Sequence, residues 1–211
     1  MKITHLGHST VLVETDQRIL VDPGNFSSEW HGITDLDAII VTHQHPDHFD
    51  PQNAPDLIKA NPQARLLVEP SVKDVYGLES AEPFHADAAI QLGTTTISAV
   101  GGLHQVIYKE IPRVGNVGFV IEAEGEPRFF HPGDSLAVAP AGIDIVGVPA
   151  YGPWAAMKEV IDWGREVAAP IGFLIHDRLL SDNGWALSYK QIGNFIPTEL
   201  TDLRGRGAVE F

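Results

Sequence analysis

Residues 38–48 read AIIVTHQHPDH, an apolar run that leads into three histidines and an aspartate within six residues. The run Ala38–Val41 has the length and composition of a buried β-strand. His43 and His45 are alternate residues just past its end, so their imidazoles can point the same way and chelate one metal ion. The stretch therefore predicts a strand that delivers metal ligands from its carboxyl end.

A second metal ion can lie beside the first. Asp47 and His48 follow Pro46, which turns the chain, so these two side chains can face a neighbouring position. Two ions roughly 3.5–4 Å apart form a clamp that serves hydrolytic displacement. The motif is thus compatible with a two-metal hydrolytic centre.

Further candidate ligands each follow an apolar run later in the chain, and they are His104, Asp134 and His176. Functional side chains collect at the carboxyl ends of strands, so we expect these three to join the first cluster. The alternative is a structural zinc site, which usually closes four ligands around one ion. Seven candidates are too many for that alternative.

Composition limits the classes of function. The 211 residues suit one domain, 1–211, and the absence of cysteine leaves only His, Asp and Glu as metal ligands. The net charge of −14 disfavours binding to nucleic acid or to an anionic membrane. The N-terminus has no signal-peptide pattern, and no apolar run approaches the roughly 18 residues of a membrane span. We expect a soluble cytoplasmic protein; no pattern indicates its oligomeric state.

The order of the elements predicts two similar halves. Residues 2–22 have the pattern of antiparallel strands, and strands alternate with helices over residues 37–77. Strand-like runs over residues 88–148 and a helix over 155–168 repeat that order. We therefore expect an α/β domain in which two sheets pack face to face with helices outside.

Two helix boundaries carry specific expectations. Ser71 is the predicted N-cap of a short helix that Gly77 ends. A closing helix is predicted over residues 189–195.

The H-x-H-x-D-H motif of residues 43–48 resembles the signature of the metallo-β-lactamase superfamily. The resemblance extends over residues 1 to about 180 through Gly7-His8-Ser9, Asp22-Pro23 and the three later candidate ligands. Within the superfamily, the sequence is most similar to compact bacterial metal-dependent hydrolases of the ascorbate-6-phosphate lactonase-like group.

This resemblance implies a four-layer αββα sandwich with the site at the edge between the sheets. It implies that one metal ion is held by His43, His45 and His104, and the other by Asp47, His48 and His176. Asp134 and a hydroxide would bridge the two ions, which are expected to be zinc, with manganese as the alternative. The hydroxide would attack a small ester, lactone, amide or phosphoester, and Asp47 could pass a proton to the leaving group.

Two other functions stay open at this point. One is a mononuclear iron oxygenase on the same scaffold, and the other is a metal-dependent binding protein without enzymatic activity. Two bound metals and hydrolysis without oxygen uptake would count against the oxygenase. Loss of a hydrolytic activity on His48→Ala would count against the binding protein.

Several residues have both a site interpretation and a structural one. Asp22 could orient a ligand imidazole or cap a turn, His8 could contact substrate or backbone, and His131 could support the site or the fold. Lys109 and Arg113 could bind a substrate, an anionic one included, or be exposed loop charges. Tyr151 and Trp154 could wall the pocket or pack in the core.

Overall fold

The computed structural model describes residues 1–211, which form two seven-stranded sheets and four helices. The strands of the first sheet are β1 (Lys2–His5), β2 (Val11–Glu14), β3 (Arg18–Val21), β4 (Ala38–Val41), β5 (Arg65–Val68), β6 (Glu82–Pro83) and β14 (Val209–Glu210). Those of the second are β7 (Ala89–Leu92), β8 (Thr95–Leu103), β9 (Gly115–Ala123), β10 (Phe129–His131), β11 (Ile145–Pro149), β12 (Ile171–Ile175) and β13 (Glu199–Leu200). The helices are α1 (Ala54–Ala60), α2 (Pro70–Tyr76), α3 (Met157–Val167) and α4 (Asp182–Phe195).

The two sheets have the same pattern of pairing. The strand order is β14-β1-β2-β3-β4-β5-β6 in the first sheet and β7-β8-β9-β10-β11-β12-β13 in the second. In each sheet the first four strands pair antiparallel, and the last three continue in parallel from the fourth. The predicted repetition of two similar halves is confirmed.

Three apolar clusters hold four layers together. Alternate strand residues face opposite sides of a sheet, so Ile19 and Val21 face the second sheet while Leu20 faces the helices. The central cluster joins side chains of both sheets, and the outer clusters join the first sheet to α1 and α2 and the second sheet to α3 and α4. The αββα sandwich expected from the sequence is therefore confirmed.

The predicted ends of the two helices, at Gly77 and Phe195, are confirmed, but both predicted starts differ from the structure. α2 begins at Pro70, and the Glu69 carboxylate caps it by accepting a hydrogen bond from the Ser71 amide (3.0 Å). Proline is favoured at the first helical position because it has no N–H to satisfy, so the prediction of Ser71 as N-cap was wrong. α4 begins at Asp182 and is capped by Ser181, about two turns before the predicted start. Gly184 in its first turn lowers helix propensity and concealed this start.

Loops from both sheets meet at one edge of the sandwich. The carbonyl oxygen of Thr42, just after β4, accepts a hydrogen bond from the amide of Val117 in β9 (2.9 Å). The carbonyl oxygen of His8, after β1, accepts one from the amide of His176, after β12 (2.8 Å). The first bond joins the segment after β4 to β9, and the second joins the segments that follow β1 and β12. None of the four helices combines the length and the apolar composition that crossing a membrane requires.

Candidate metal centre

The seven side chains predicted as ligands lie together at this edge, and His8 lies with them. They form two groups whose candidate ligand atoms lie within 4.8 Å of one another: His43, His45, His104 and Asp134, and His8, Asp47, His48 and His176. We call them the first and second groups. The first contains the three histidines expected to share one ion. The second contains the three residues expected to share the other, together with His8.

Asp134 belongs to the first group and also contacts the second. Its Oδ1 is 3.0 Å from Nε2 of His48, and its Oδ2 is 3.2 Å from Nε2 of His176. The same Oδ2 is 3.4 Å from Nε2 of His104, which belongs to the first group. One buried carboxylate therefore reaches both groups, as a bridging ligand must.

Asn116 holds Asp134 in this position. The Asn116 side chain accepts a hydrogen bond from the Asp134 amide (2.9 Å) and donates one to the carbonyl of Pro132 (3.0 Å). A Cβ on Gly133 would lie 2.4 Å from the Asn116 side-chain oxygen, so the turn can pass this close only with glycine. Asn116 was missed in the sequence, although a buried amide within the apolar strand β9 was a usable signal.

Three histidines have their outer ring nitrogen bonded to an oxygen. Nδ1 of each is paired: His48 with Asp22 Oδ2 (2.6 Å), His104 with the carbonyl of Gln105 (2.6 Å), and His176 with the carbonyl of Tyr151 (2.5 Å). Because these oxygens only accept, each Nδ1 carries the hydrogen, and Nε2 faces the centre. This is the arrangement in which an imidazole presents a lone pair to a metal ion.

Unpaired buried atoms test whether metal ions fit here. Nε2 of His48, His104 and His176 and Oδ1 of Asp134 are buried without a hydrogen-bond partner. His48 and Asp134 approach to 3.0 Å but are not aligned as a hydrogen bond. Buried polar atoms without partners are costly, and each of these three Nε2 atoms lies within 3.4 Å of the Asp134 carboxylate. Imidazole and carboxylate donors suit zinc, manganese and iron, so the residues fit divalent metal ions.

The electrostatics keep the carboxylates ionised. Burial opposes ionisation of Asp134, but His176, His48 and His104 hold its pKa well below the usual range. Burial likewise opposes ionisation of Asp47, whose pKa is lowered by His48, His176 and His8. At neutral pH both side chains are therefore anionic and able to bind a cation.

The histidines fall into two electrostatic classes. Burial lowers the pKa of His8 to about 4 and that of His43 well below its usual value, so both are neutral at pH 7. Burial would also lower the pKa of His176, but Asp134 raises it to about 9. Because a proton and a metal ion compete for the same Nε2, binding of a metal ion at His176 would release a proton.

His8 contacts a candidate ligand as well as neighbouring backbone. Its Nε2 is 3.1 Å from Oδ2 of Asp47, and its backbone is left-handed, with φ of 55°. The His8 amide donates to Oδ1 of Asp177 (3.0 Å), and its carbonyl accepts from His176. The imidazole of His8 is thus held in place beside Asp47. Asp177 was missed, because nothing near it in sequence indicates this distant partner.

Asp22 has the geometry of an orienting residue. Besides accepting from His48, its two oxygens accept from the amide and the hydroxyl of Thr42, both at 2.8 Å. The carboxylate is fully buried and ties the segment after β3 to the motif after β4.

The other histidine near the centre supports the fold. The ring of His131 pairs through Nε2 with the carbonyl of Ser9 (2.9 Å) and through Nδ1 with the amide of Gly133 (3.2 Å). Both ring nitrogens are therefore used by backbone groups, which leaves neither for a metal ion.

The structure places the four candidate substrate residues in different environments. Lys109 is exposed and paired with Glu110 (3.2 Å), and the Arg113 guanidinium donates to the carbonyl of His104. Trp154 is buried with its ring edge-on to His176, with centroids 5.5 Å apart, whereas Tyr151 is 45% exposed. Of these four residues, only Trp154 lines a cavity at the centre.

That cavity has a volume of about 410 Å³ and reaches both groups. It is bounded by His45, Asp47, Asp134 and His176 together with seven residues from surrounding loops. A larger cavity of about 680 Å³ lies elsewhere and includes none of the seven predicted ligands. The smaller cavity is therefore the one in which chemistry at the candidate centre can occur.

Comparison with known proteins identifies the group to which this architecture is similar. A family model described as beta-lactamase superfamily domain matches residues 2–171. Protein Rv0786c of Mycobacterium tuberculosis is 37% identical over 213 aligned residues, which cover 100% of each chain. A UPF0173 metal-dependent hydrolase of Rubrobacter xylanophilus is 28% identical over 196 residues, covering 85% of this chain and 77% of the relative.

A solved structure has the same fold at low sequence identity. The metallo-beta-lactamase fold protein YhfI from Bacillus subtilis superposes with a TM-score of 0.74 at 17% identity. The superposition covers 100% of this chain and 99% of that protein. The two chains therefore have the same architecture over their whole lengths.

Proposed function

The chain belongs to the family described as beta-lactamase superfamily domain. On that premise, we propose that it is a binuclear metal-dependent hydrolase. The observation that carries the proposal is the placement of one buried carboxylate, Asp134, in contact with both groups of candidate ligands. The relatives named metal-dependent hydrolases support the class of activity. Under this proposal residues 1–211 form one hydrolase domain for a small-molecule substrate. The lactonase-like group within the superfamily is part of the proposal and rests on the sequence resemblance alone.

The ligand assignment follows the two groups. We assign one ion to His43, His45 and His104, the other to Asp47, His48 and His176, and Asp134 to both. Zinc is the proposed metal and manganese the alternative, because imidazole and carboxylate donors suit both. The separate hydrogen bonds at Nδ1 of His48, His104 and His176 support this assignment, since they leave each Nε2 free on the inner side.

Residues of this chain orient the groups that take part in the reaction. Divalent ions bound here would lower the pKa of water from 15.7 to about 7 and polarise the scissile group of the substrate. Asp47 lines the cavity, and we assign to it the transfer of a proton to the leaving group because of this position. His8 holds the Asp47 carboxylate, and the buried ring of Trp154 covers the imidazole of His176. These contacts orient the proton carrier and keep bulk water from that face.

Metal removal tests the proposal. We expect about two ions per chain by elemental analysis, loss of activity after chelation, and recovery on reloading with zinc or manganese. The substrates are p-nitrophenyl esters, lactones and bis(p-nitrophenyl) phosphate, assayed while dissolved oxygen is recorded. Iron at one ion per chain with substrate-dependent oxygen uptake would instead establish the oxygenase. A fully loaded protein that hydrolyses none of the panel would favour the binding protein.

His8 provides a second prediction. We expect His8→Asn to weaken the binding of one of the two ions by about 10–100-fold, the cost typical of losing a residue that orients a ligand. Asparagine tolerates the left-handed backbone at this position, but its amide is too short to reach Asp47. Glutamine extends to the position of Nε2, so His8→Gln should restore most of the affinity. Competition with a chromophoric chelator measures both binding steps.

The control for that experiment is His85→Asn, which changes an exposed histidine outside the centre. This variant should bind both ions as the wild type does. Unchanged binding in His8→Asn would show that the contact with Asp47 does not support the second group.

A further inference from the structure

The cavity at the candidate centre has apolar walls. Apart from the four candidate ligands and Asn25, its lining residues are apolar: Phe26, Pro46, Ile107, Pro153, Trp154 and Leu179. They come from separate loops of both halves of the molecule, so the cavity is formed only in the folded chain. Sites that bind small molecules are typically apolar with a few polar groups that fix orientation. Here the polar groups are almost entirely those of the centre itself.

No side chain of fixed positive charge lines this cavity. None of its eleven lining residues is Lys or Arg. The nearby cations of the loops are committed elsewhere, since Arg113 donates to the carbonyl of His104 and Arg178 pairs with Glu29. Recognition of phosphate or carboxylate usually uses an arginine or lysine clamp, and burying an anion without one is costly. The walls therefore disfavour a substrate that carries a negative charge on the part lying away from the candidate metal centre.

The rim of the cavity is also apolar. Phe26 and Leu179 are 42% and 46% exposed, and Tyr108, beside Ile107 in the chain, is 58% exposed. Large apolar side chains grouped around a mouth mark a surface that an apolar ligand can cover. At the roughly 30 Å³ that each molecule of liquid water occupies, about 410 Å³ accommodates roughly a dozen non-hydrogen atoms.

We infer that the substrate is a small, neutral ester, lactone or amide with an apolar acyl part, which contacts Phe26, Trp154 and Leu179. This inference rests on the proposed hydrolytic function and narrows it by setting phosphoesters and carboxylate-bearing esters aside. In the reaction, a water oxygen forms a bond to the acyl carbon and the bond from that carbon to the leaving group breaks. One proton of the water goes to the leaving group, and the other reaches solvent as the acid product ionises. The overall charge of −14 also opposes the approach of anions.

A matched pair of esters tests the inference on the metal-loaded full chain. p-Nitrophenyl 4-methylpentanoate and p-nitrophenyl hemisuccinate have the same shape, but the second replaces two terminal methyl groups with carboxylate oxygens. We expect kcat/KM to favour the neutral ester by more than about tenfold, because the carboxylate would lose its hydration without gaining a partner. From p-nitrophenyl acetate to butyrate, kcat/KM should rise about fourfold per methylene. Equal or reversed preference within the pair, in an active enzyme, would overturn the inference and leave the hydrolase proposal standing.

A second test of the inference introduces a positive charge into the wall of the cavity. Leu179→Arg introduces a cation at the cavity, so it should shift the ratio toward the hemisuccinate by at least tenfold. Leu187→Arg makes the same change at a leucine that is 54% exposed and lies outside this cavity, and it should leave the ratio unchanged. An equal shift in both variants would attribute the effect to net charge and contradict the assignment of Leu179 to the substrate site.

Measurements of ligand binding without turnover distinguish a failure of the hydrolase proposal from a failure of the substrate inference. If the loaded wild type hydrolyses no ester, the hydrolase proposal fails, and the cavity is then tested with 4-methylpentanamide and succinamate. These two amides repeat the neutral and anionic pair, and their dissociation constants can be measured by ligand-observed NMR. Tighter binding of the neutral amide, lost in Leu179→Arg, would support the inference, and tighter binding of succinamate would overturn it.

Discussion

Replacing Asp134 by alanine is expected to remove both metal ions and to lower kcat/KM by at least about 10²–10³-fold, the loss that follows removal of one preorganised electrostatic group. The reason is the position of the carboxylate, which lies 3.0 Å from His48 in the second group and 3.4 Å from His104 in the first. Without it, the imidazoles of both groups face one another with no anion between them. Elemental analysis of the purified variant and a titration with zinc measure the change.

His104→Ala is the informative comparison, because His104 belongs to the first group only. It should mainly empty one position and leave about one ion per chain. Asp74→Ala, which changes an exposed aspartate of α2, should retain both ions and full activity. If Asp134→Ala keeps two ions per chain, the bridging assignment is wrong.

Gly24→Ala should disrupt the centre without touching any candidate ligand side chain. A Cβ at Gly24 would lie 1.7 Å from the carbonyl oxygen of Asp47 and 2.1 Å from its carbonyl carbon, where contacts under 3.0 Å are essentially never seen. The obstacle is backbone, so no side-chain rotation relieves it. Two hydrogen bonds hold the segments together, from the Asn25 amide to Pro46 and from the Asp50 amide to Pro23, both at 2.9 Å. The loops must separate, which moves Asp47 away from the second group.

We expect this variant to lose tight binding of one ion and about 1–3 kcal/mol of unfolding free energy, as overpacked sites do. Urea unfolding of the metal-free protein and a metal titration report the two effects separately. Gly193→Ala is the matched control, since this residue lies in α4 and its Cβ would make only an ordinary contact of 3.4 Å with Leu200. Because alanine favours helices, the control should bind two ions and be slightly more stable. Wild-type binding and stability in Gly24→Ala would contradict the close packing of these two loops.

Much of the architecture was predictable because it depends on patterns within short segments. The short apolar runs of β3 and β4 specify strands by their composition and length. The repeated order of strands and helices then leaves few ways to cover both faces of two sheets. The superfamily predicted from the H-x-H-x-D-H motif is confirmed by the family match. The two-residue strands β6, β13 and β14 were missed, because only their neighbours in the sheet make them strands.

The supporting residues were less predictable because their partners are distant in sequence. Asp22 and His48 are 26 positions apart, and the contact of the His8 amide with Asp177 spans 169. No local pattern distinguishes a carboxylate that orients an imidazole from one that caps a turn. For the same reason, the sequence could not separate a substrate-binding role of Lys109 and Arg113 from exposed loop charge.

The sandwich, the family and the identity of the candidate ligands follow from local patterns, because strand composition, element order and the spacing of residues 43–48 are properties of neighbouring residues. Only the tertiary structure decided how those ligands are arranged. It placed Asp134 in contact with both groups, brought His8 against Asp47, and formed an apolar cavity from loops far apart in the chain. The physical reason is that orientation and electrostatic environment arise from contacts across the folded molecule, which apolar spacing along the chain does not encode.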